Sequence, residues 1–449
     1  MSKTVAISII SFVILCLGFG IFYWYKSINV SDSNGNTSAQ EEAKRDIPIF
    51  PFDNNGQNTS SQQSTSTGNN NQNPVEIPAI RQLSTSPVSG FTFYESSNDG
   101  LTVRYMEGEK GNIIDIPFSS VNKERVTNRT LILIRETLWL SGESGFLSRF
   151  ADPTSDTLNT IFGQIVNNSS ASTSPKDSSS ENLSDVETVA LPKGIYQAVS
   201  IPFDKAQSKN KAIKPKIAFL DKINNETGVF VSNEDGSVMK QIAYLPINEW
   251  KILGATNENI FIQTKPSFNY PSLYYSININ SGKLSKVLNG PSGSSGVLSE
   301  KGQYILYSGV TENLPMVYYY DLKKKSTEPL PLFTFADKCS FAKDDSFFIC
   351  GVPSQIEKGK YPDDWYKGIT SFKDEIWVAS PKTGEISQFT TPTRSGFTFD
   401  ITNPKISPDK KYLVFINKND NTLWSVRLPN GLSQTHTNAS TTVATTTKK

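Results

Sequence analysis

Short apolar segments alternate with polar turns along most of the chain after residue 90. Runs such as KIAFL, NIFIQT, QYILYS and KYLVFI are each bounded by Gly, Asp, Asn or Pro. Their apolar positions follow the spacing of strands and not that of helices. We therefore predict an all-β domain between residues 90 and 431.

The turn residue that precedes each main strand recurs at a regular interval. Three successive residues of this series, Asn259, Gly302 and Asp345, are 43 apart. When insertions are allowed for, the series has seven members: Gly100, Gly145, Lys216, Asn259, Gly302, Asp345 and Lys410. Four short strands in a unit of this length are typical of a β-propeller blade. We predict seven blades, with six or eight left open, and the alternative is an open array of sheets with chance spacing.

The last repeat is incomplete. It contains ISPDKKYLVFI and TLWSVRL, but no further strand precedes the Thr-rich end of the chain. A propeller with an unpaired edge would expose unsatisfied backbone groups. We predict that a strand from residues 75–83 completes this blade and closes the ring.

Two repeats resemble those of TolB-like β-propellers. They are ISPDKKYLVFI followed by LWSV, and LSEKGQYILYS followed by VYYYDL. Family members have an S-P-D-G-type turn before an apolar strand, and only Ser407, Pro408 and Asp409 keep it here. The resemblance covers residues 90–431 and implies the fold but no activity. The whole layout also resembles uncharacterised membrane-anchored propeller proteins of bacteria, which imply no known reaction.

An apolar run at residues 5–25 predicts one N-terminal transmembrane helix. It carries no charged residue and forms a helix of roughly 32 Å, long enough to cross a bilayer. Its aromatic C-terminal end suits the membrane interface. A cleavable signal peptide is the alternative, but its apolar region is normally shorter. We expect a single-pass protein of the cell membrane, with the head, residues 1–4, in the cytoplasm and the propeller outside.

Two polar segments flank the propeller. Residues 26–89 and 432–449 are rich in Ser, Thr, Asn and Gln and contain few apolar side chains. Such composition does not offset the entropy of ordering, so both segments are predicted to be disordered. The first would act as a spacer between the membrane and the propeller.

Charge and histidine content exclude several functions. The chain has 44 Lys and Arg against 43 Asp and Glu, a net charge of +1. Such a balance argues against a nucleic-acid partner, which needs a basic face. The only histidine, His436, lies in the Thr-rich tail. Because zinc sites and Ser/His/Asp triads use histidine inside a built pocket, we predict no metal, no cofactor and no such catalytic site.

Two cysteines lie on either side of a predicted turn, in CSFAKDDSFFIC. If Phe341 and Phe348 are cross-strand neighbours, Cys339 and Cys350 also face each other. Opposed residues of an antiparallel pair lie close enough for a disulfide. We predict this disulfide, and two buried thiols are the alternative.

The repeat that begins near Asp345 carries a 22-residue insertion. Its aromatic and acidic residues predict a binding loop: Tyr361, Asp363, Asp364, Trp365 and Tyr366. Exposed aromatic rings beside carboxylates suit a sugar or a peptide, and insertions in repeat proteins often map to the binding face. The alternative is that these aromatic side chains fold back and cap the blade.

These features favour a binding or scaffold module for an envelope protein or glycan. The alternative is a carboxylate-dependent hydrolase of envelope polysaccharide, which would need two Asp or Glu converging in the axial cleft. A structural subunit of an envelope complex is a third hypothesis and predicts a large exposed apolar patch. No local motif singles out a catalytic residue.

Overall fold

In the computed structural model the chain is described at residues 77–141, 144–152, 158–166, 183–203, 214–311, 314–390 and 396–429. Within these ranges it forms seven antiparallel sheets of four strands each. The first strands of successive blades lie beside one another around a central axis. The prediction of an all-β, seven-bladed propeller is therefore confirmed.

The strands follow the blades in chain order. Blades one to three contain β2 (Val88–Ser96), β3 (Gly100–Glu107), β4 (Ile113–Pro117), β5 (Glu124–Arg125), β6 (Ile134–Trp139), β7 (Gly145–Ala151), β8 (Leu158–Val166), β9 (Asp185–Ala190), β10 (Ile195–Ser200), β11 (Lys216–Ile223), β12 (Glu226–Asn233) and β13 (Lys240–Leu245). Blades four to six contain β14 (Trp250–Ala255), β15 (Asn259–Thr264), β16 (Pro271–Asn278), β17 (Leu284–Ser292), β18 (Ser295–Leu298), β19 (Tyr304–Thr311), β20 (Leu314–Asp321), β21 (Ser326–Leu330), β22 (Cys339–Phe341), β23 (Phe348–Pro353), β24 (Asp374–Ala379) and β25 (Ile386–Thr390). Blade seven contains β26 (Ile401–Ile406), β27 (Tyr412–Asn417), β28 (Thr422–Arg427) and β1 (Ile80–Gln82). Two short helices accompany blade six: a 3-10 helix at Ala336–Lys338 and α1 at Asp363–Tyr366.

Strand β1 closes the ring as predicted. It pairs antiparallel with β28, with Ile80 opposite Val426, and supplies the fourth strand of blade seven. Both β1 and the start of β2 lie before residue 90, so the propeller begins inside the segment predicted as spacer. With three residues and a single aliphatic side chain, β1 carries too weak an alternation to set that boundary from sequence.

The repeat seen in the sequence corresponds to the second strand of each blade. Asn259 is the first residue of β15, whereas Gly302 and Asp345 lie just before β19 and β23. A tight turn between the first two strands needs a residue with positive φ, and Gly302 (65°), Asp345 (59°) and Lys410 (61°) supply it. Gly100 (71°) supplies it in blade one, so four of the seven repeat residues recur because the same turn recurs.

Apolar side chains pack between neighbouring blades. Between blades six and seven, Ile376, Phe399 and Phe415 are buried in one cluster with Trp424. A separate cluster joins blades three and four around Trp250. Each blade thus buries its faces against its neighbours, as propellers require.

Antiparallel pairing gives the ring two distinct ends. Loops between the second and third strands, and those between blades, lie at one end, which we call the insertion face because it carries residues 354–373. Loops between the first and second strands, and between the third and fourth, lie at the other end, the turn face. This assignment follows from the alternation of strand direction in every sheet.

Several predictions fall on residues outside the described ranges. The head (1–4), the transmembrane helix (5–25), the spacer up to residue 76 and the tail (432–449) are among them. Among the described residues, no helix is both long and apolar enough to cross a membrane. Those predictions therefore stay predictions.

Candidate functional site

The insertion of blade six folds around a small core of its own. Tyr361 and Trp365 are 0% and 2% exposed and pack with Phe335 and Phe372. The rings of Trp365 and Phe335 are stacked with centroids 5.3 Å apart. Trp365 therefore does not present its ring to solvent. The structure adopts the alternative that the sequence left open, because burying these rings removes more apolar area from water than an exposed loop allows.

A buried charge cluster fixes the insertion between blades six and seven. The Lys338 ammonium, fully enclosed, donates to Asp374 at 2.6 Å and to Asp400 at 2.5 Å. The indole N–H of Trp365 donates to Asp400 at 3.0 Å. The same ammonium lies 4.7 Å from the Trp365 ring centroid, within cation–π range.

The cluster holds two carboxylates but only one cation. One oxygen of Asp374, Oδ1, is buried with no hydrogen-bond partner. Burial raises the pKa of Asp374 to about 6, and Asp400 adds to that rise while Lys338 opposes it. The surplus negative charge in this closed site is therefore relieved by a proton on Asp374 in mildly acidic solution.

The two predicted aspartates are used inside the fold. Asp363 Oδ2 accepts a hydrogen bond from the backbone N–H of Phe268 at 2.6 Å, which ties the insertion to blade four. Asp364 Oδ2 accepts from the N–H of Lys360 at 2.7 Å. Both carboxylates hold backbone, so their contacts in the structure are architectural.

Tyr366 is the predicted residue that reaches the surface. Its side chain is 40% exposed, and its hydroxyl donates to Asp337 Oδ2 at 2.7 Å. The other carboxylate oxygen of Asp337 accepts from the Lys251 ammonium of β14. A residue of the insertion and a residue of blade four thus meet on the same carboxylate.

Electrostatics at this carboxylate are set by its partners. Burial acts to raise the pKa of Asp337, but the Lys251 charge and the hydrogen bonds outweigh it and hold the pKa below its usual value. For Tyr366, whose ring is partly exposed, desolvation of the hydroxyl beside Asp337 and the charge of that carboxylate raise the pKa of the phenol well above 10. The trio therefore consists of an ionised acid, a lysine cation and a neutral phenol.

A cavity of about 470 Å³ runs along the axis of the ring. Its wall takes a residue from the first strand of each of blades two to seven: Glu136, Gln197, Lys251, Val297, Cys339 and Asn403. A second cavity of about 400 Å³ continues toward the turn face and shares Val297, Cys339 and Asn403. Axial openings of this kind are where propellers can receive ligands.

A third cavity, of about 440 Å³, opens beside the insertion, and we call it the mouth cavity. It shares Gln197, Lys251 and Asp337 with the axial cavity. Rings of Tyr196 and Tyr366 line it as well. The mouth cavity thus joins the central opening to the insertion face.

Three carboxylates line the two axial cavities, and they differ in charge environment: burial raises the pKa of Glu300 in the second cavity, whereas Glu136 and Asp337 of the first cavity are ion-paired. Glu136 is ion-paired with Arg149 at 2.8 Å, and Asp337 with Lys251. A general acid needs a raised pKa, whereas the pKa of Asp337 is lowered. Within the described ranges no group of three or more His, Cys, Asp and Glu side chains could hold a metal ion.

The two cysteines lie between blades five and six. Cys339 and Cys350 are opposite each other in the β22–β23 register, and the structure joins them by a disulfide with an S–S distance of 2.02 Å. Both are buried in an apolar cluster with Phe341 and Phe348. The bond lies next to the 3-10 helix that carries Asp337 and Lys338.

Sequence reasoning missed the residues that meet the insertion. Asp337 and Lys338 are the only charges in the segment PLFTFADKCSF, and a charged pair in so apolar a run was a usable signal. Lys251 follows Trp250 at the start of a first strand, which the repeat period locates. Lys251 and Asp337 come together only when the blades close into a ring.

No protein-family model and no curated protein match this sequence. Solved structures similar to it include an oligogalacturonate lyase in complex with manganese, with 11% identity, 77% of this chain and 97% of that chain covered, and a TM-score of 0.47. TolB from Acinetobacter baumannii is 10% identical over 80% of this chain and 86% of its own, with a TM-score of 0.39. The β-propeller domain of Cps50 (Swd1) from Myceliophteria thermophila is 8% identical over 78% of this chain and 100% of its own, with a TM-score of 0.46. These neighbours are similar in fold, and nothing about activity follows from them.

Proposed function

We propose that the protein is a membrane-anchored, extracytoplasmic β-propeller that binds an envelope protein or glycan at its insertion face. One observation carries the proposal: the insertion is anchored by a core of its own and holds exposed side chains beside the central opening. Ile369 is 70% exposed and Tyr366 40%. Apolar groups held at a fixed place on a surface are typical of binding sites.

A neighbouring loop extends the same surface. Tyr270 of blade four is 71% exposed and lies two residues from Phe268, whose backbone N–H is bound by Asp363. A hydrogen bond therefore joins the loop that carries Tyr270 to the insertion that carries Tyr366. Aromatic side chains with a polar end are favoured at interfaces.

Membrane anchoring rests on the apolar run at residues 5–25, followed by the polar spacer. We propose that the cytoplasmic head is short and that the propeller lies outside the cell. Protease added to intact cells should then degrade the propeller, and carbonate washing should leave the full chain in the membrane fraction. A propeller that stays intact while an outer marker is cut would overturn this orientation.

Binding is tested with variants of the insertion face. Trp365 is buried, so replacing it would test folding, and Ile369→Asp and Tyr366→Ala are the informative changes. With the full chain in detergent, we expect both variants to lose capture of the envelope partner that the unchanged protein retains. Val238→Asp is the matched control, because Val238 is 82% exposed and lies on the turn face. Equal capture by all three variants would contradict the proposal.

A further inference from the structure

Unpaired lysines surround the insertion. Five lysines carry positive charge in or beside it: Lys358, Lys360, Lys367, Lys373 and Lys418. Within the described ranges none of them has a carboxylate within ion-pair distance. The nearby Asp363 and Asp364 are engaged with backbone N–H groups. Glu357, Asp363 and Asp364 offset three of these five lysine charges, so the insertion together with Lys418 keeps a net charge of +2, which favours the approach of anions.

The mouth cavity also has an excess of positive charge. Lys251 is paired with Asp337, and Lys265 with Glu249 at 2.9 Å. Lys222 lines the same cavity, and no carboxylate of the described residues pairs with it. A ligand with one negative group would therefore find a cation there without breaking an existing ion pair.

Aromatic side chains form much of the remaining wall. Tyr196 and Trp250 line the cavity and are held to each other, since the Trp250 backbone N–H donates to the Tyr196 hydroxyl at 3.3 Å. The Tyr196 hydroxyl also lies 3.0 Å from that of Thr227. Tyr366 faces them from the insertion. Fixed rings and a few polar groups in a space of about 440 Å³ suit a small cyclic ligand.

We propose that the mouth cavity binds one unit of an anionic glycan, with neighbouring negative groups of the polymer following the lysines of the insertion. This inference rests on the proposed function and names the class of its partner. Sugar rings pack against Tyr196 and Tyr366, and a carboxylate or phosphate group lies near Lys222. An acidic peptide would satisfy the lysines but has no ring to fill the space between the aromatic side chains.

The test is calorimetric titration of the full chain in detergent with four probes of similar length. They are alginate hexasaccharide, phosphorylated maltohexaose, plain maltohexaose and hexaglutamate. We expect at least one anionic sugar to bind about tenfold or more tighter than maltohexaose and hexaglutamate, with an affinity that falls as salt is added. Which anionic sugar binds separates carboxylate from phosphate recognition.

Variants assign the binding to the cavity. Lys222→Ala removes the positive charge, and Tyr196→Phe removes only the hydroxyl. We expect Lys222→Ala to weaken binding of the anionic probe about threefold to tenfold. Tyr196→Phe keeps the ring and should change the affinity less. Lys301→Ala removes an exposed charge on the turn face and should leave the affinity unchanged. An equal loss in the Lys222 and Lys301 variants would overturn the assignment.

Other outcomes also overturn the inference. Absence of binding by both anionic sugars refutes it, as does equal binding of hexaglutamate or of plain maltohexaose. If glycans fail while Ile369→Asp still abolishes partner capture, the insertion face remains the binding surface and only the ligand class is wrong. If both assays fail, the proposed function is wrong as well.

Discussion

Asp337 and Lys338 are neighbours in one turn of 3-10 helix, yet their side chains belong to two different ion clusters. Lys338 is enclosed between blades six and seven with Asp374 and Asp400. Asp337 lines the axial opening and meets Lys251 and Tyr366 there. One ion cluster is closed to solvent and the other borders a cavity. The charges of the closed cluster hold the insertion in place, whereas a ligand can reach those of the open cluster.

The largest expected effect comes from breaking the closed cluster. Lys338→Met leaves two buried carboxylates without their cation, so we expect the free energy of unfolding to fall by about 3 to 5 kcal/mol. Lys251→Met is the matched change at the open cluster and should cost about 1 kcal/mol or less. Urea unfolding followed by tryptophan fluorescence measures both. Equal losses of unfolding free energy in the two variants would contradict the distinction between the two clusters.

Removing the disulfide should have the next largest effect, because the bond holds the strand that follows this helix. The bond closes a loop with a sequence separation of 11 residues. Replacing Cys339 and Cys350 by serine should lower the free energy of unfolding by about 2 to 3 kcal/mol, mainly through the unfolded chain. Mass spectrometry of the unreduced protein should show no free thiol at either position. Free thiols there would contradict the bond.

The stability that the closed cluster contributes should depend on pH. The pKa of Asp374 is about 6 in the folded protein and near 3.8 when unfolded, so the folded state binds the extra proton between these values. The contribution of Asp374 to stability is therefore greatest at low pH and falls as the pH rises from about 4 to about 6. In Asp374→Asn this fall should disappear, and the variant should be as stable as the unchanged protein, or more so, at pH 7.

The difference in stability between Asp374→Asn and the unchanged protein, followed over pH, isolates the contribution of Asp374 from that of other carboxylates. Hydrogen bonds and ion pairs lower the pKa of Asp337 and Asp344, which gives them the opposite pH dependence. A control with Asp337→Asn should therefore remove a rise in stability that lies below about pH 4 and leave the fall between about pH 4 and pH 6 in place. Identical pH profiles for Asp374→Asn and the unchanged protein would refute the assignment.

The smallest effect is expected at the open cluster. Tyr366→Phe removes one hydrogen bond to Asp337 at a partly exposed site, so the free energy of unfolding should change by about 1 kcal/mol or less. The aromatic ring stays in the mouth cavity. Thermal unfolding measures the change in stability, and glycan titration measures any change in affinity. A loss of stability as large as that of Lys338→Met would show that the rim of the mouth cavity is structural.

Sequence reasoning predicted the fold better than the site, for a physical reason. A turn with positive φ follows the first strand in blades one, five, six and seven, so Gly302, Asp345 and Lys410 revealed the repeat. Cys339 and Cys350 could be paired because they lie in one hairpin. By contrast, Lys251 and Asp337 belong to different blades, and only ring closure brings them together. Trp365 could not be placed from sequence, since an aromatic residue in a loop suits a surface and a small core equally.

The most direct test of the account is photo-crosslinking in intact cells. A photoreactive amino acid replaces Ile369 on the insertion face or Val238 on the turn face, two positions that are 70% and 82% exposed. We predict covalent adducts to an envelope protein or glycan from position 369 and none from position 238. Adducts from position 238 alone, or equally from both, would contradict the claim that the insertion face is the binding face.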